Sequence, residues 1–205
     1  SLEFFKVGFA PKSSKYLLNT IKSDGYENQV LDKCGLFGAS KNEFFDRFRS
    51  RIMFPIWNAS GKIVGFGGRV FASDDPAKYM NSPETPIYKK SDIFYGLHQA
   101  RESIRKEGFT ILVEGYTDVI QLFQNKIKNC VAVSGTAFSD RHVKQMKRFS
   151  SKILLAYDGD SAGVSATLKT GYSLIKGGRD CEVIEIPNKL DPDEWVSKTG
   201  PEVFK

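Results

Sequence analysis

Residues 154–163 read LLAYDGDSAG: an apolar run that ends on two aspartates, Asp158 and Asp160, with only Gly159 between them. Upstream, KILLAY (152–157) has the length and composition of a buried strand, and downstream SAGVSATLKTGYSLIKGG (161–178) reads as a helix stopped by Gly177 and Gly178. The same alternation extends in both directions. FTILVEG (109–115), NCVAVSG (129–135) and CEVIEIP (181–187) are further apolar strands, separated by the helical segments TDVIQLFQNKIK (117–128) and SDRHVKQMKRFS (139–150). The second helix is basic and has Ser139 as its predicted cap. Strands that are apolar on both faces and alternate with helices predict an α/β fold, a parallel sheet flanked by helices.

In such a sheet, ligands gather at the carboxyl ends of the strands. Glu114 ends the first strand, with Asp118 one turn into the next helix; Asp158 and Asp160 end the third; Asp191 and Asp193 follow the fourth in DPDEW. Two carboxylates about 4 Å apart repel by roughly 4 kcal/mol at an effective dielectric of 20, so something must offset the cluster. With no His or Cys nearby, an oxygen-preferring ion such as Mg²⁺ or Mn²⁺ fits best, with Gly159 giving the sharp turn that aims both aspartates at it. Each acid also has a plainer reading. Asp160 can cap the helix at Ser161, Asp191 followed by Pro192, Asp193 and Glu194 is a helix start, Asp118 suits a first helical turn, and Glu114 can be solvated. Their coincidence at one edge favours metal.

The first half is organised differently and predicts a smaller α+β subdomain. RIMFPIWNASGKIVGFGGRVF (51–71) reads as an antiparallel hairpin with an irregular connection, bracketed by Arg51 and Arg69. Gly65, Gly67 and Gly68 would allow a phosphate or strand to approach the backbone, although the residues by themselves slightly favour a twisted hairpin with solvated arginines. A helix is expected in SSKYLLNTIKSDG (13–25), a charged approach in KNEFFDRFRS (41–50), and a long Pro-rich loop with Lys78, Lys89 and Lys90 in residues 73–92. DIFYGLHQARESIRKEG (92–108) reads as a helix leading into the sheet. Phe44, Phe45, Phe48 and Phe54 are expected in the core, and His98 and His142 in surface or interhelical roles.

Of the 205 residues, 40% are apolar, enough for a real core. Setting the six clustered acids aside leaves 18 acidic against 30 basic residues, an excess of twelve that favours polyanions. Cys34, Cys130 and Cys181 form no CxxC pair, which argues against a disulfide framework or a zinc site. No apolar run reaches about 18 residues and the start lacks signal-peptide order, so a cytoplasmic protein without membrane contact is expected.

EGYTD (114–118), YDGDSAG (157–163) and DPDE (191–194) together resemble the Toprim domain of primases, topoisomerases and some nucleases. DRFRSRIMFPIWNASGKIVGFGGRVF (46–71) and KYMNSPETPIYKKSDIFYGLHQAR (78–101) narrow the resemblance to the catalytic core of bacterial DnaG-type primases. That resemblance implies part of the core's N-terminal α+β subdomain over residues 1–107 and a Toprim domain over 108–205. It implies metal binding by Glu114, Asp118, Asp158, Asp160, Asp191 and Asp193, with Glu114, Asp158 and Asp160 catalytic. Arg51, Arg69, Lys78, Asn81 and Lys90 fall on its nucleic-acid and nucleotide-binding positions, with Lys89 a weaker match.

The implied reaction is DNA-templated primer synthesis: the RNA primer's 3′-oxygen attacks the α-phosphate of a ribonucleoside triphosphate, and pyrophosphate leaves. Single-stranded DNA template, RNA primer and ribonucleoside triphosphates are the implied partners. The family's zinc-binding domain and its C-terminal domain, which docks on the replicative helicase, are not in this sequence, so a bacterial core fragment with low activity of its own is expected. SGT at 134–136 departs from the commoner apolar residue before GT. A Toprim nuclease or topoisomerase fragment, or a non-catalytic nucleic-acid-binding module, remains as an alternative.

Overall fold

A computed structural model describes residues 2–41, 43–71, 75–133, 135–187 and 190–204. They divide into two compact units, one of residues 57–62 and 90–205, the other of residues 2–56 and 63–89.

In the second unit, β1 (Gly8–Ala10) precedes α1 (Tyr16–Ile21) and α2 (Asn28–Lys33). β2 (Phe37–Ser40) and β3 (Glu43–Asp46) then form an antiparallel pair, β3 lying in the stretch expected to be only a charged approach. β4 (Arg51–Trp57), β5 (Ile63–Val70) and β6 (Tyr79–Asn81) complete a four-stranded sheet in the order β1-β4-β5-β6. The expected hairpin is therefore present. Asn58 shapes its connection, its Oδ1 accepting from the backbone N–H of Ser60 (3.1 Å) and of Lys62 (3.0 Å).

The glycines of β5 make room for side chains of their own unit. A Cβ at Gly65 would meet the Tyr88 ring at 3.1 Å, and one at Gly68 would meet Phe48 at 2.9 Å and Arg51 Cδ at 3.1 Å. Phe48 and Phe54 are buried as expected, while Phe44 and Phe45 are only partly so.

In the first unit, β7 (Phe94–Tyr95), α3 (Leu97–Glu107), β8 (Phe109–Val113), α4 (Tyr116–Gln124), β9 (Cys130–Val133), α5 (Asp140–Met146), β10 (Lys152–Leu155), α6 (Ser161–Lys176), β11 (Asp180–Val183) and α7 (Pro192–Thr199) follow one another. The sheet order is β11-β10-β8-β9-β7; four strands are parallel and β7 pairs antiparallel with β9 at the edge. The helix expected from residue 92 thus starts at Leu97, because Phe94 and Tyr95 are strand and Gly96 turns the chain at φ 80°.

β8 lies at the centre of the sheet, which explains its unbroken apolar run: Ile111, Leu112 and Val113 are fully buried. One core joins α3, α5 and α6 to the sheet through Leu97, Ile104, Val143, Met146 and Leu174. Among the described residues no helix is long and apolar enough to cross a membrane.

Candidate functional site

The parallel register decides where the acids arrive. Leu112 aligns with Leu155 across β8 and β10, and Ala156 N–H extends that ladder to Leu112 O at 2.9 Å. Two residues beyond Leu112, Glu114 leaves the sheet where β10 delivers Asp158, and Glu114 Oε1 accepts the Asp158 backbone N–H at 3.3 Å. Glu114 is therefore tied to the DGD loop rather than simply solvated. That loop is pinned in turn to the one before α7, by Gly159 N–H donating to Leu190 O at 3.2 Å.

Three of the acids also serve helix starts. Asp160 Oδ1 accepts from Gly163 N–H and Asp191 Oδ1 from Glu194 N–H, each at 2.7 Å, while Asp118 Oδ2 accepts from Gly115 N–H at 2.8 Å. The capping reading of Asp160 and Asp191 is correct, and it leaves the second oxygen of each carboxylate for other work.

Gly159 does not adopt a positive φ. The glycine this loop requires is Gly163, where a Cβ would lie 2.1 Å from the Asp158 carbonyl oxygen. Sequence reading missed that residue, although its place in DGDSAG was visible.

Electrostatics tie the acids together. Burial raises the Glu114 pKa, and the charges of Asp158 and Asp160 add to it. Burial raises Asp158 as well, reinforced by Asp191 and Asp160. Asp118 is pushed up to about 7, first by burial and further by Asp158, Asp191 and Asp193, against the opposing Gly115 hydrogen bond. Among the described residues none of Glu114, Asp118, Asp158, Asp160 and Asp191 makes an ion pair with a Lys or Arg.

Nor do any three Asp, Glu, His or Cys among the described residues stand together as a ready-made ligand set. The donor set nevertheless fits a hard divalent cation, being all oxygen, strained by like charge and possessed of spare lone pairs.

The basic positions have separate fates. Arg51, expected at a substrate groove or in solvent, is 1% exposed. Its Nη1 donates to Ala77 O (2.9 Å) and Gly68 O (3.3 Å), and its Nη2 pairs with Asp75. The guanidinium thus stitches β5 to the loop before β6, which leaves little of it to present to a strand. Arg69 lies over the Tyr79 ring at 5.7 Å, and the β5–β6 register puts it on the same face as Asn81. Lys78 is exposed, and Lys89 pairs loosely with Glu84 at 3.8 Å. Lys90 begins a short 3₁₀ turn and belongs to the other unit.

Sequence reading overlooked Lys12, Arg47 and Arg49, which with Arg51, Asp75 and Met80 line a cleft of about 370 Å³. The alternating arginines of DRFRSR were its signal. Ser134 of SGT lies outside the described residues.

Known proteins are similar to this chain in sequence and fold. Residues 1–101 match the family described as DNA primase catalytic core, N-terminal domain, and residues 111–196 match the Toprim-like family. A DNA primase of Staphylococcus aureus (strain COL) is 44% identical over 200 residues, 97% of this chain and 33% of the relative, so the chain spans about a third of the length of that curated protein. The RNA polymerase domain of Mycobacterium tuberculosis primase DnaG is 34% identical with a TM-score of 0.89, the match covering 98% of this chain and 68% of that one. A DnaG primase catalytic domain solved bound to ssDNA is 35% identical with a TM-score of 0.89, over 99% of this chain and 64% of that one. With both halves matched in order, the chain belongs to the bacterial DnaG-type primase family, within its catalytic core.

Proposed function

We propose that this chain is the metal-binding and strand-binding part of a primase that synthesises RNA primers on single-stranded DNA. The observation that carries the reading is the acidic edge, where burial and neighbouring carboxylates raise the pKa of Glu114, Asp118 and Asp158, and where Glu114, Asp118, Asp158, Asp160 and Asp191 make no ion pair among the described residues. A Toprim nuclease or topoisomerase would share such an edge. The match of residues 1–101 to the primase N-terminal domain favours primer synthesis.

Glu114, Asp118, Asp158, Asp160, Asp191 and Asp193 would hold Mg²⁺ or Mn²⁺. Bound there, the ion would supply charge stabilisation for the attacking and leaving oxygens. Glu114 fixes the DGD loop through the Asp158 N–H, and its second oxygen would serve the ion or the attacking 3′-oxygen. Asp160 and Asp191 hold their loops by capping, and the second oxygen of each would serve the ion.

Arg69, Lys78, Asn81 and Lys90 would contact template, primer and incoming ribonucleoside triphosphate. Arg51 keeps the β5–β6 region that carries Arg69 and Asn81 in shape. Residues 1–107 would act as the N-terminal subdomain and 108–205 as the Toprim domain of a cytoplasmic bacterial replication protein, which reaches the replicative helicase through a further domain.

The test is Glu114→Asp in the complete primase. It keeps the charge but withdraws the oxygens by one methylene, a displacement that can cost on the order of 100-fold in rate. Primer synthesis should collapse while thermal stability and template affinity stay at wild-type levels. Unchanged synthesis would remove Glu114 from the catalytic set.

A further inference from the structure

The basic helix of SDRHVKQMKRFS plays no part in the reading above. α5 turns Val143 and Met146 into the core, 4% and 0% exposed, so its opposite face is fixed outward. Arg141, Lys144, Gln145 and Arg148 recur at helical spacing on that face, the path continuing past Met146 through Arg148 N–H to Gln145 O at 3.0 Å. With Asp92 they line a cleft of about 430 Å³.

Charge in this cleft is unbalanced. Arg141 reaches Asp92 at 3.3 Å, whereas among the described residues neither Lys144 nor Arg148 makes an ion pair. The Gln145 side-chain oxygen is buried without a hydrogen-bond partner among the described residues, so this amide adds a polar group not consumed by the fold.

The face is also held rigid. His142 is fully buried, and its Nδ1 accepts the Ser139 backbone N–H at 3.1 Å, which places the proton on Nε2, facing Lys90 O at 3.1 Å. Cations on an anchored helix lose less freedom on binding than cations on a loop.

We infer that the cleft of Arg141, Lys144, Gln145 and Arg148 is a second binding surface for the phosphodiester backbone of a single strand, built from residues other than those of the acidic edge. It rests on the primase reading and adds to it a place where template or nascent strand is held. Phosphates fit because the free groups are two flexible or forked cations, Lys144 and Arg148, at one helical turn's spacing.

The test measures binding of the whole chain to oligo(dT) and oligo(U) of equal length over a salt series. It compares wild type, Lys144→Gln with Arg148→Gln, and Lys169→Gln with Lys176→Gln as a control that removes equal charge from α6. Two lost phosphate contacts should lower the slope of log affinity against log salt by about 1.4 and weaken binding on the order of 10- to 100-fold at 50 mM salt. The control pair should change neither. The strand type that shows the loss identifies which strand the surface holds.

Wild-type binding with an unchanged slope in the α5 variant would overturn this inference alone, as would equal losses in the α5 and control pairs. Wild-type failure to bind either strand would overturn both it and the primase reading. Melting temperatures of the variants, expected to match wild type, separate lost contacts from lost fold.

Discussion

The acidic edge of the parallel sheet and the buried arginine of the antiparallel sheet handle charge in opposite ways. Arg51 is enclosed, yet two carbonyls and Asp75 absorb its guanidinium, so that site is complete without a ligand. Glu114, Asp118 and Asp158 are less enclosed as a group, yet the Glu114 and Asp118 carboxylates accept from backbone N–H groups rather than from a Lys or Arg. Burial raises the pKa of all three, with Asp158 adding to Glu114 and Asp118 and itself raised further by Asp191 and Asp160. A charge that the fold neutralises is scaffold. Like charges that the fold gathers and leaves unneutralised mark a place for something from outside.

The largest effect expected from breaking this contrast is at Gly163. Alanine favours a helix over glycine by about 1 kcal/mol, so Gly163→Ala in an ordinary helix start would stabilise slightly. Here its Cβ has no space against the Asp158 carbonyl, so the DGD loop must shift, and primer synthesis should fall by roughly 100-fold. A stabilised, fully active variant would show that the geometry of this loop does not matter.

At Arg51 the expected loss is in stability rather than chemistry. Arg51→Met strands Gly68 O and Ala77 O, and since Asp75 remains 40% exposed to water the cost should be about 3 kcal/mol. Denaturant unfolding measures it, and a neutral result would return Arg51 to the substrate-contact role expected from the sequence.

Smaller still is the pH dependence at Asp118. Its folded pKa of about 7 lies above the ordinary carboxylate value of 3.8, so between those values the folded state holds more protons than the unfolded one. Stability should therefore fall as pH rises through this window, by at most about 1.4 kcal/mol per unit from this group, and the penalty is complete above pH 7. Thermal melts in a chelator at pH 5 and pH 8 should show the drop, and Asp118→Asn should reduce it. Glu114 and Asp158 shift the same way and leave a residue of the effect. Superimposable profiles for wild type and variant would contradict the shared-field description.

The α/β half was legible because its strands are continuous apolar runs and each helix carries its own start or stop signal, as at Ser139, Asp160 and Asp191. The other half hides its logic in distant contacts. α1 has no side-chain cap of its own; Asp46 supplies one from 28 residues away, its Oδ1 and Oδ2 accepting from Leu18 and Leu17 N–H at 3.0 and 2.7 Å. β2 and β3 escaped notice because a two-stranded ribbon buries so little, chiefly Phe37 and Asp46. β7 is two residues at a sheet edge, too short for any period to register. Within the site, carboxylate identities and their common edge could be read in advance. The partners of Arg51 and the crowding at Gly163 could not, since both depend on backbone approached in three dimensions.

Mn²⁺ binding followed by electron paramagnetic resonance tests the central claim most directly, comparing wild type with Asp158→Asn plus Asp160→Asn. Asparagine at 160 retains an oxygen for the Gly163 N–H, so the helix start survives while the charge is lost. The account expects wild type to bind the ion and the variant to lose that binding with its fold intact. Equal affinity in the two proteins would contradict it.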